Sequence, residues 1–372
     1  MFLKLHSEYY TKRMSSQSID EIYQLRHFRQ EAHLSFSSGM YFGIYHLGVL
    51  QAIKDFAPQF TKRRALGSSA GALAASCLVC DVPLQKAIDA VTKMAVHCRS
   101  LMFGALDPRF NISQILRSEL YAILSPDAHI RANNKLFIAV TRASTLKHKL
   151  VSNFDSLDEL IDTLMASCFI PFFLGLVPPK IKGVSYIDGG TSCRIPILNE
   201  CTITVSPIRW RRAIIKPRKD LNNMLGLNFT AYMRRIVRMV FAPSPSELID
   251  LCRQGYDDTV YFLRTNKLIL CHECWDEENR DENAHMSTAQ PHPIEKLQDC
   301  AQCQKLRTVS MLAKFPSIYY RSVAEAEENE QRLQRRVNIL AFVLRNVRYV
   351  ALSLLLIALA FYCKVFVSHI IA

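Results

Sequence analysis

The chain has 372 residues, enough for one large α/β domain with appendages or for two domains of ordinary size. Its 49% of hydrophobic residues can build a sizeable core, which excludes global disorder. The 46 basic and 33 acidic side chains leave a net charge of +13, which favours anionic partners: nucleic acid or the anionic face of a membrane.

The N-terminal segment, residues 1–33, is polar and charged, and its first residues lack the continuous apolar stretch of a signal peptide. We therefore expect the body of the protein to stay in the cytosol. Disulfides are rare in that compartment, so the 12 cysteines are expected to be thiols or metal ligands.

Residues 34–207 alternate between short strands and helices. This alternation predicts an α/β domain with a largely parallel sheet covered on both faces. Strands are predicted at Ala32–Ser37, Arg64–Leu66, Leu136–Val140, Leu150–Phe154, Val184–Ile187 and Thr202–Val205, and helices at about Ile44–Asp55, Ala70–Cys80 and Leu157–Cys168.

Four further segments follow. We predict a basic helical extension at 208–268, a cysteine-pair region with a polar insert at 269–310, a charged helical linker at 311–345 and a hydrophobic segment at 346–372. Within the last, Tyr349–Cys363 carries no charge but is shorter than the roughly 20 residues of a full span. Snorkelling of Arg348 and Lys364 would lengthen it. We expect a single membrane anchor with the enzyme facing the cytosol, the alternatives being an interfacial helix or hairpin and a buried core helix.

A candidate nucleophile turn follows the second predicted strand. It reads Gly67-Ser68-Ser69-Ala70-Gly71, the G-x-S-x-G spacing, and lies between a strand and a helix. Such a turn exposes the serine hydroxyl above the sheet and requires small neighbours. The helix that follows points N–H groups at the place where negative charge develops. Alone, the motif also fits an ordinary glycine-rich turn.

The glycines point to one site. The chain has only 12, and seven of them lie in three predicted turns. A chain that concentrates glycine in this way is expected to build one site from those turns. The third turn places the Asp188 carboxylate just beyond a strand end, where open α/β sheets hold ligands. The seven are Gly39, Gly43 and Gly48, then Gly67 and Gly71, then Gly189 and Gly190.

Three ordered segments, Phe36–Gly48, Gly67–Gly71 and Asp188–Gly190, resemble the motifs of patatin-like phospholipases, especially the adiponutrin and adipose triglyceride lipase group. The resemblance implies a three-layer α/β/α fold and a Ser-Asp dyad that requires no cofactor. Carried over, Ser69 attacks a lipid ester and Asp188 accepts its proton, since an aspartate is ionised at neutral pH.

The first motif departs from that family. Relatives have G-x-G-x-x-G in the loop expected to form the oxyanion hole, whereas here Ser38 and Met40 occupy the first two glycine positions and only Gly43 matches. A non-glycine residue held at positive φ costs about 1–3 kcal/mol. Either activity is weakened, or the loop shifts so that Gly39 takes the role. Cys193 and Arg194 also replace an Asp-Asn pair usual in relatives.

Two C-x-x-C pairs lie downstream, Cys271 with Cys274 and Cys300 with Cys303. Their spacing fits a four-cysteine structural zinc site, since each pair can supply one edge of a tetrahedron. Four free cytosolic thiols are the alternative.

Basic side chains cluster in the segment after residue 208, mixed with bulky apolar ones. This mixture favours a phospholipid surface, although it also fits a solvated face. No nucleic-acid motif accompanies the charge, so we expect no nucleic acid partner. The cluster comprises Arg209, Arg211, Arg212, Lys216, Arg218, Lys219, Arg234, Arg235 and Arg238.

The main hypothesis is a lipid acyl hydrolase at a lipid droplet or the endoplasmic reticulum. By resemblance, triacylglycerol is the expected substrate and phospholipid or retinyl ester comes next, with a protein activator as a candidate partner. A second hypothesis is a catalytically weak lipid-surface regulator, because of the altered oxyanion loop. A third is a triad that adds His272, His285 or His292; His46 is expected to pack inside a helix.

Overall fold

A computed structural model of the chain describes residues 28, 31–171, 173–219, 229–271, 273–274, 300–311, 314–317 and 319–320. Most of the N-terminal polar segment, the polar insert, the charged linker and the hydrophobic segment lie outside these ranges. Among the described helices, none is long and apolar enough to cross a membrane.

The described strands form one mixed sheet, in which the hydrogen-bonded order is β5-β6-β3-β2-β1-β7, with β4 paired to β3. Neighbours among β7, β1, β2 and β3 are parallel, while β4 and β6 run antiparallel to β3. The predicted α/β architecture with a largely parallel sheet is confirmed. The strands are β1 His33–Phe36, β2 Ala65–Ser68, β3 Leu136–Arg142, β4 His148–Val151, β5 Lys180–Ile181, β6 Val184–Asp188 and β7 Thr202–Val205.

Helices cover this sheet, and β1, β2 and β7 are buried along their whole length, as expected for strands packed on both faces. Side-chain caps set several helix starts: Ser156 accepts from the Glu159 N–H, and Asn111 from the Gln114 N–H. The helices are α1 Ile44–Phe56, α2 Ala70–Val79, α3 Leu84–Ser100, α4 Ile112–Ile123, α5 Ala128–Ala132, α6 Leu157–Cys168, α7 Phe229–Val240, α8 Pro245–Thr265 and α9 Ala301–Met311.

The long helix α8 packs directly on α1. A Cβ at Gly48 would lie 1.8 Å from the Cys252 carbonyl oxygen, and one at Gly255 would lie 2.1 Å from the Tyr45 carbonyl oxygen. Only glycine permits this approach of the two backbones. The extension is therefore packed against the core that carries the three motifs.

The sequence predicted a helical extension over residues 208–268, but the first part of this extension is not helical. Residues 208–219 form turns and an irregular segment, in which Ile215 bridges to Val205 beside β7. Pro217 cannot supply the backbone N–H that a helix interior needs, which favours the irregular path. Of this segment's cations, Arg218 pairs with the buried Asp258 at 2.8 Å, so it serves the core rather than a free surface.

Candidate active site

The predicted nucleophile turn joins β2 to α2. Ser69 is held at φ 56° and ψ −127°, a strained conformation for a residue with a side chain. A Cβ at Gly67 would lie 2.2 Å from the Gly71 carbonyl oxygen, and one at Gly71 would lie 2.2 Å from that of Phe36. Both glycines are therefore needed for the turn to close, and the turn places Ser69 at the N-terminal end of α2.

Ser167, near the end of α6, fixes the backbone of this turn. Its hydroxyl accepts a hydrogen bond from the Ser69 N–H at 2.9 Å and donates one to the Ala139 carbonyl at 2.7 Å. Ser167 thus connects the turn to the middle of β3. The sequence alone gave no reason to expect this role, because a single serine in a helix carries no local signal of it.

The two strands that end at the site meet end to end. Residues 140 and 141 of β3 pair with both β4 and β6, and residues 138 and 139 pair with both β4 and β2. Because β4 occupies one flank of β3, β2 and β6 must share the other. Ser68 pairs with Ala139 and Asp188 with Val140, so the two strand ends are one residue apart along β3.

Asp188 was predicted just beyond a strand end, where open α/β sheets hold ligands. It is the last residue of β6, but this strand is antiparallel to β3 and approaches the nucleophile turn from the opposite direction.

The Asp188 carboxyl group is buried and only partly hydrogen-bonded. Its Oδ1 accepts from the Gly190 N–H at 2.7 Å, whereas its buried Oδ2 has no hydrogen-bond partner of ordinary geometry among the described residues. Burial raises the pKa of Asp188 to about 6, although the neighbouring Ser69 hydroxyl and the Gly190 N–H lower it in part. Hydroxyl and carboxylate are thus adjacent without a well-formed bond between them, which is common before a substrate binds.

The predicted oxyanion loop closes the third side of the site. A Cβ at Gly43 would lie 2.5 Å from the Ala70 Cβ, and one at Gly190 would lie 2.8 Å from the Ser38 hydroxyl. The first contact joins the loop to the nucleophile turn, and the second joins it to the carboxylate turn. The structure therefore brings all three glycine-bearing turns together.

Within the loop, the left-handed backbone conformation falls on Met40, at φ 48°, and not on Gly39. The backbone strain therefore lies on a residue with a side chain, while an oxyanion role for Gly39 stays a prediction. Gly39 has an extended φ of −171°, and a Cβ there would lie 2.8 Å from the Pro207 ring. Neither the Gly39 nor the Met40 N–H is matched with an acceptor in the part of the chain that the structure describes.

Two further residues support this loop: Arg194, which the sequence gave no role, and His46, which was predicted to pack inside a helix. The Arg194 carbonyl accepts the Ser38 N–H at 3.2 Å, while its guanidinium lies over the Trp210 ring. His46 is fully buried and its Nε2–H donates to the Ser37 carbonyl at 2.9 Å. Burial lowers the pKa of His46 to about 4, so it remains neutral. His272, His285 and His292, the candidates for a triad, lie outside the described residues.

A mostly apolar cleft opens from Ser69. It runs between α1, α2, α3 and α4, and the Cys168 thiol lines it beside the serine. Such a lining suits a hydrocarbon chain, because few polar groups would be left without partners when it binds. Its apolar walls include Leu47, Leu73, Ala90, Met94, Leu116 and Leu120.

An amphipathic helix packs beside the turn Met40–Gly43, three residues of which line the cleft. The helix α7 contacts the turn Met40–Gly43 and the segment Gly104–Leu106. It carries Arg234 and Arg235 of the basic cluster. Large apolar side chains are nevertheless exposed on and near it: Met102, Phe103, Leu106, Phe229, Tyr232 and Val237.

The comparisons with known proteins agree with this architecture. Residues 34–199 match the patatin-like phospholipase family. Patatin-like phospholipase domain-containing protein 4 of Homo sapiens is 35% identical over 62% of this chain and 95% of its own length. The chain belongs to the patatin-like phospholipase family.

Longer relatives match over a similar share of the chain. The 1-acylglycerol-3-phosphate O-acyltransferase Pnpla3 of Mus musculus is 36% identical over 63% of this chain and 59% of its own. Patatin-like phospholipase domain-containing protein 2 of Homo sapiens is 35% identical over 63% of this chain and 49% of its own. The match therefore spans only half to three fifths of these two curated relatives.

Proposed function

We propose that this protein is a serine acyl hydrolase of lipids in which Ser69 is the nucleophile and Asp188 the general base. The observation that carries the proposal is the buried Asp188 Oδ2, which has no partner of ordinary geometry among the described residues, beside a strained serine that lines an apolar cleft. A carboxylate with a pKa near the working pH can both accept and return a proton.

The proposed reaction has two steps. The Ser69 Oγ forms a bond to the ester carbonyl carbon as its proton passes to Asp188, and the collapsing intermediate expels the alcohol, which takes that proton. Water then attacks the acyl-enzyme and loses a proton to Asp188. The bond between the carbonyl carbon and the Ser69 Oγ breaks, the Oγ takes that proton back from Asp188, and the fatty acid leaves. We assign stabilisation of the oxyanion to the N–H groups of Gly39 and Met40 and to the N-terminus of α2. This chemistry draws on no metal.

Triacylglycerol is the substrate we propose first, with phospholipid and retinyl ester next. The apolar cleft supports an acyl chain, while the head group is suggested only by the resemblance to the adipose triglyceride lipase group. The exposed apolar side chains around α7, together with the chain's net charge of +13, support binding to an anionic lipid surface, such as a droplet or endoplasmic reticulum.

Purified full-length protein tests the proposal. We expect it to release fatty acid from emulsions of triacylglycerol more rapidly than from phospholipid vesicles, with the Ser69→Ala variant as the blank. A rate equal to that blank on every lipid, including retinyl ester, would contradict the hydrolase assignment.

Acyl transfer is a second candidate, because one relative is named as an acyltransferase of 1-acylglycerol-3-phosphate. In that reaction a lipid hydroxyl replaces water in the second step. Adding 1-acylglycerol-3-phosphate to the same emulsions distinguishes hydrolysis from acyl transfer, since transfer gives diacylglycerol-3-phosphate and less free fatty acid.

The strained Met40 permits a test of the weakened-loop hypothesis. Replacing Met40 with glycine or with alanine removes the same side chain, but only glycine relieves the left-handed backbone. We expect Met40→Gly to be more stable than Met40→Ala by about 1 kcal/mol in urea unfolding. If Met40→Gly turns over several-fold faster than the unmodified protein, strain at Met40 limits the native loop. If the two turnover rates are equal, the native loop already functions.

The raised pKa of Asp188 predicts the pH dependence of the reaction. The base must be ionised, so kcat/KM should fall as the pH drops through about 6. Between pH 7 and pH 5 we expect a loss of about tenfold. A short-chain soluble ester avoids changes in the lipid interface, and a profile that stays flat over this range would contradict the role of Asp188.

A further inference from the structure

Four cysteines distant in sequence come together after the end of α8. The Sγ atoms of Cys271, Cys274, Cys300 and Cys303 all lie within 4.8 Å of one another. All four are free thiols, so no disulfide explains their proximity. They line no part of the cleft at Ser69 and form a small cluster of their own.

The spacing of the sulfur atoms fits tetrahedral metal coordination. Zinc–sulfur bonds of about 2.3 Å place the corners of a tetrahedron about 3.8 Å apart. The Sγ atoms of Cys271 and Cys300 are 3.8 Å apart, one from each C-x-x-C pair. This edge joins the two pairs, and the other Sγ distances stay within 4.8 Å, so one tetrahedron can take two corners from each pair.

A backbone amide already points at one of these sulfur atoms. The Cys271 N–H donates to the Cys303 Sγ at 3.1 Å. Donors of this kind stabilise thiolates and orient them as ligands. Burial of Cys271, Cys274 and Cys303 excludes water from the centre.

We propose that Cys271, Cys274, Cys300 and Cys303 bind one Zn²⁺ as a structural site separate from the lipase chemistry. Four thiolates leave no open coordination position, which is typical of a structural rather than a catalytic zinc. The ion would join the chain that leaves α8 to the chain that enters α9.

The site stabilises the return of the chain onto the catalytic core. Beyond α9, the Tyr319 hydroxyl donates to the Gln51 Oε1 of α1 at 2.6 Å, and the Phe315 ring packs against Tyr256 of α8. Without the metal, the contacts of Phe315 and Tyr319 close a long loop that begins at the end of α8. A metal that fixes the start of α9 shortens this loop, and the entropic cost of forming the contacts is then lower.

Metal analysis of the full-length protein tests the proposal. We expect about one zinc per chain, with four sulfur neighbours at about 2.3 Å by X-ray absorption. Cys300→Ser should lose the zinc on dialysis against a chelator, while the control Cys201→Ser should retain it. Both cysteines are partly buried, and Cys201 lies outside the cluster.

The outcome separates this site from the proposed enzyme. Zinc below about one tenth per chain after growth with added zinc, iron in its place, or zinc bound equally by Cys300→Ser would overturn the proposal. If Cys300→Ser does not fold, X-ray absorption of the unmodified protein decides, because oxygen or nitrogen ligands would also exclude the four-thiolate site. None of these readouts depends on lipid hydrolysis.

Discussion

Alanine in place of Ser69 is expected to reduce fatty acid release from a lipid emulsion by about 10⁴-fold or more. The reason is chemical: without the Oγ no acyl-enzyme forms, and the carboxylate and oxyanion donors alone retain only a small part of the rate enhancement. The measurement is the initial rate on triacylglycerol, with folding checked by circular dichroism.

Ser76→Ala is the matched control for this variant. Ser76 lies on α2, the helix that begins after Ser69, is buried, and donates to the Leu73 carbonyl within its own helix. We expect this variant to stay within a few-fold of the unmodified rate, because a hydrogen bond of this type contributes only about 1 kcal/mol. Equal activity of Ser69→Ala and Ser76→Ala would rule out Ser69 as the nucleophile.

Asparagine in place of Asp188 should lower turnover by about 10²–10⁴-fold, the usual contribution of a general base. The amide oxygen can still accept from the Gly190 N–H, so the turn is expected to keep its shape. Only the capacity to take the Ser69 proton is lost.

The same variant should be more stable than the unmodified protein at alkaline pH. The pKa of Asp188 is raised from 3.8 to about 6 in the folded protein, so the ionised carboxylate favours the unfolded state above pH 6. That penalty amounts to about 3 kcal/mol at pH 8 and vanishes as the pH falls below about 4. Urea unfolding of both proteins at pH 8 and pH 5 measures it.

A stability difference that does not shrink between pH 8 and pH 5 would show that Asp188 is not the buried, destabilised carboxylate described above. If Asp188→Asn loses activity while its stability difference from the unmodified protein is the same at both pH values, the loss of activity is due to altered geometry. The two measurements together separate the chemical role of Asp188 from a merely structural one.

The sequence predicted the local parts of this site better than the long-range ones. The turn around Ser69 is encoded by adjacent residues, since only glycine at positions 67 and 71 lets the neighbouring backbone approach so closely. Helix α6 was predicted with both boundaries correct, because Ser156 caps its start and Pro171 follows its end. Such signals act over a few residues.

Only part of the cleft wall was predicted. The sequence gave α1 and α2, but not α3 and α4, which supply the remaining helical lining. Their apolar faces resemble those of any amphipathic helix, so nothing in them indicates a cleft. Likewise, the strand β4 begins at His148 rather than Leu150, since a bond from the Arg142 N–H to the Lys147 carbonyl closes the hairpin earlier. These features depend on tertiary contacts.

The meeting of β2 and β6 on one flank of β3 makes the site sensitive to chain length. Adding or deleting one residue inside Val184–Asp188 would turn the carboxylate to the opposite face of the sheet. The exposed turn before it is different, because a Cβ at Gly183 would meet nothing within 4 Å. An insertion at Gly183 is therefore expected to leave the Asp188 carboxylate facing Ser69. An insertion only a few residues later, inside β6, is expected to turn it away.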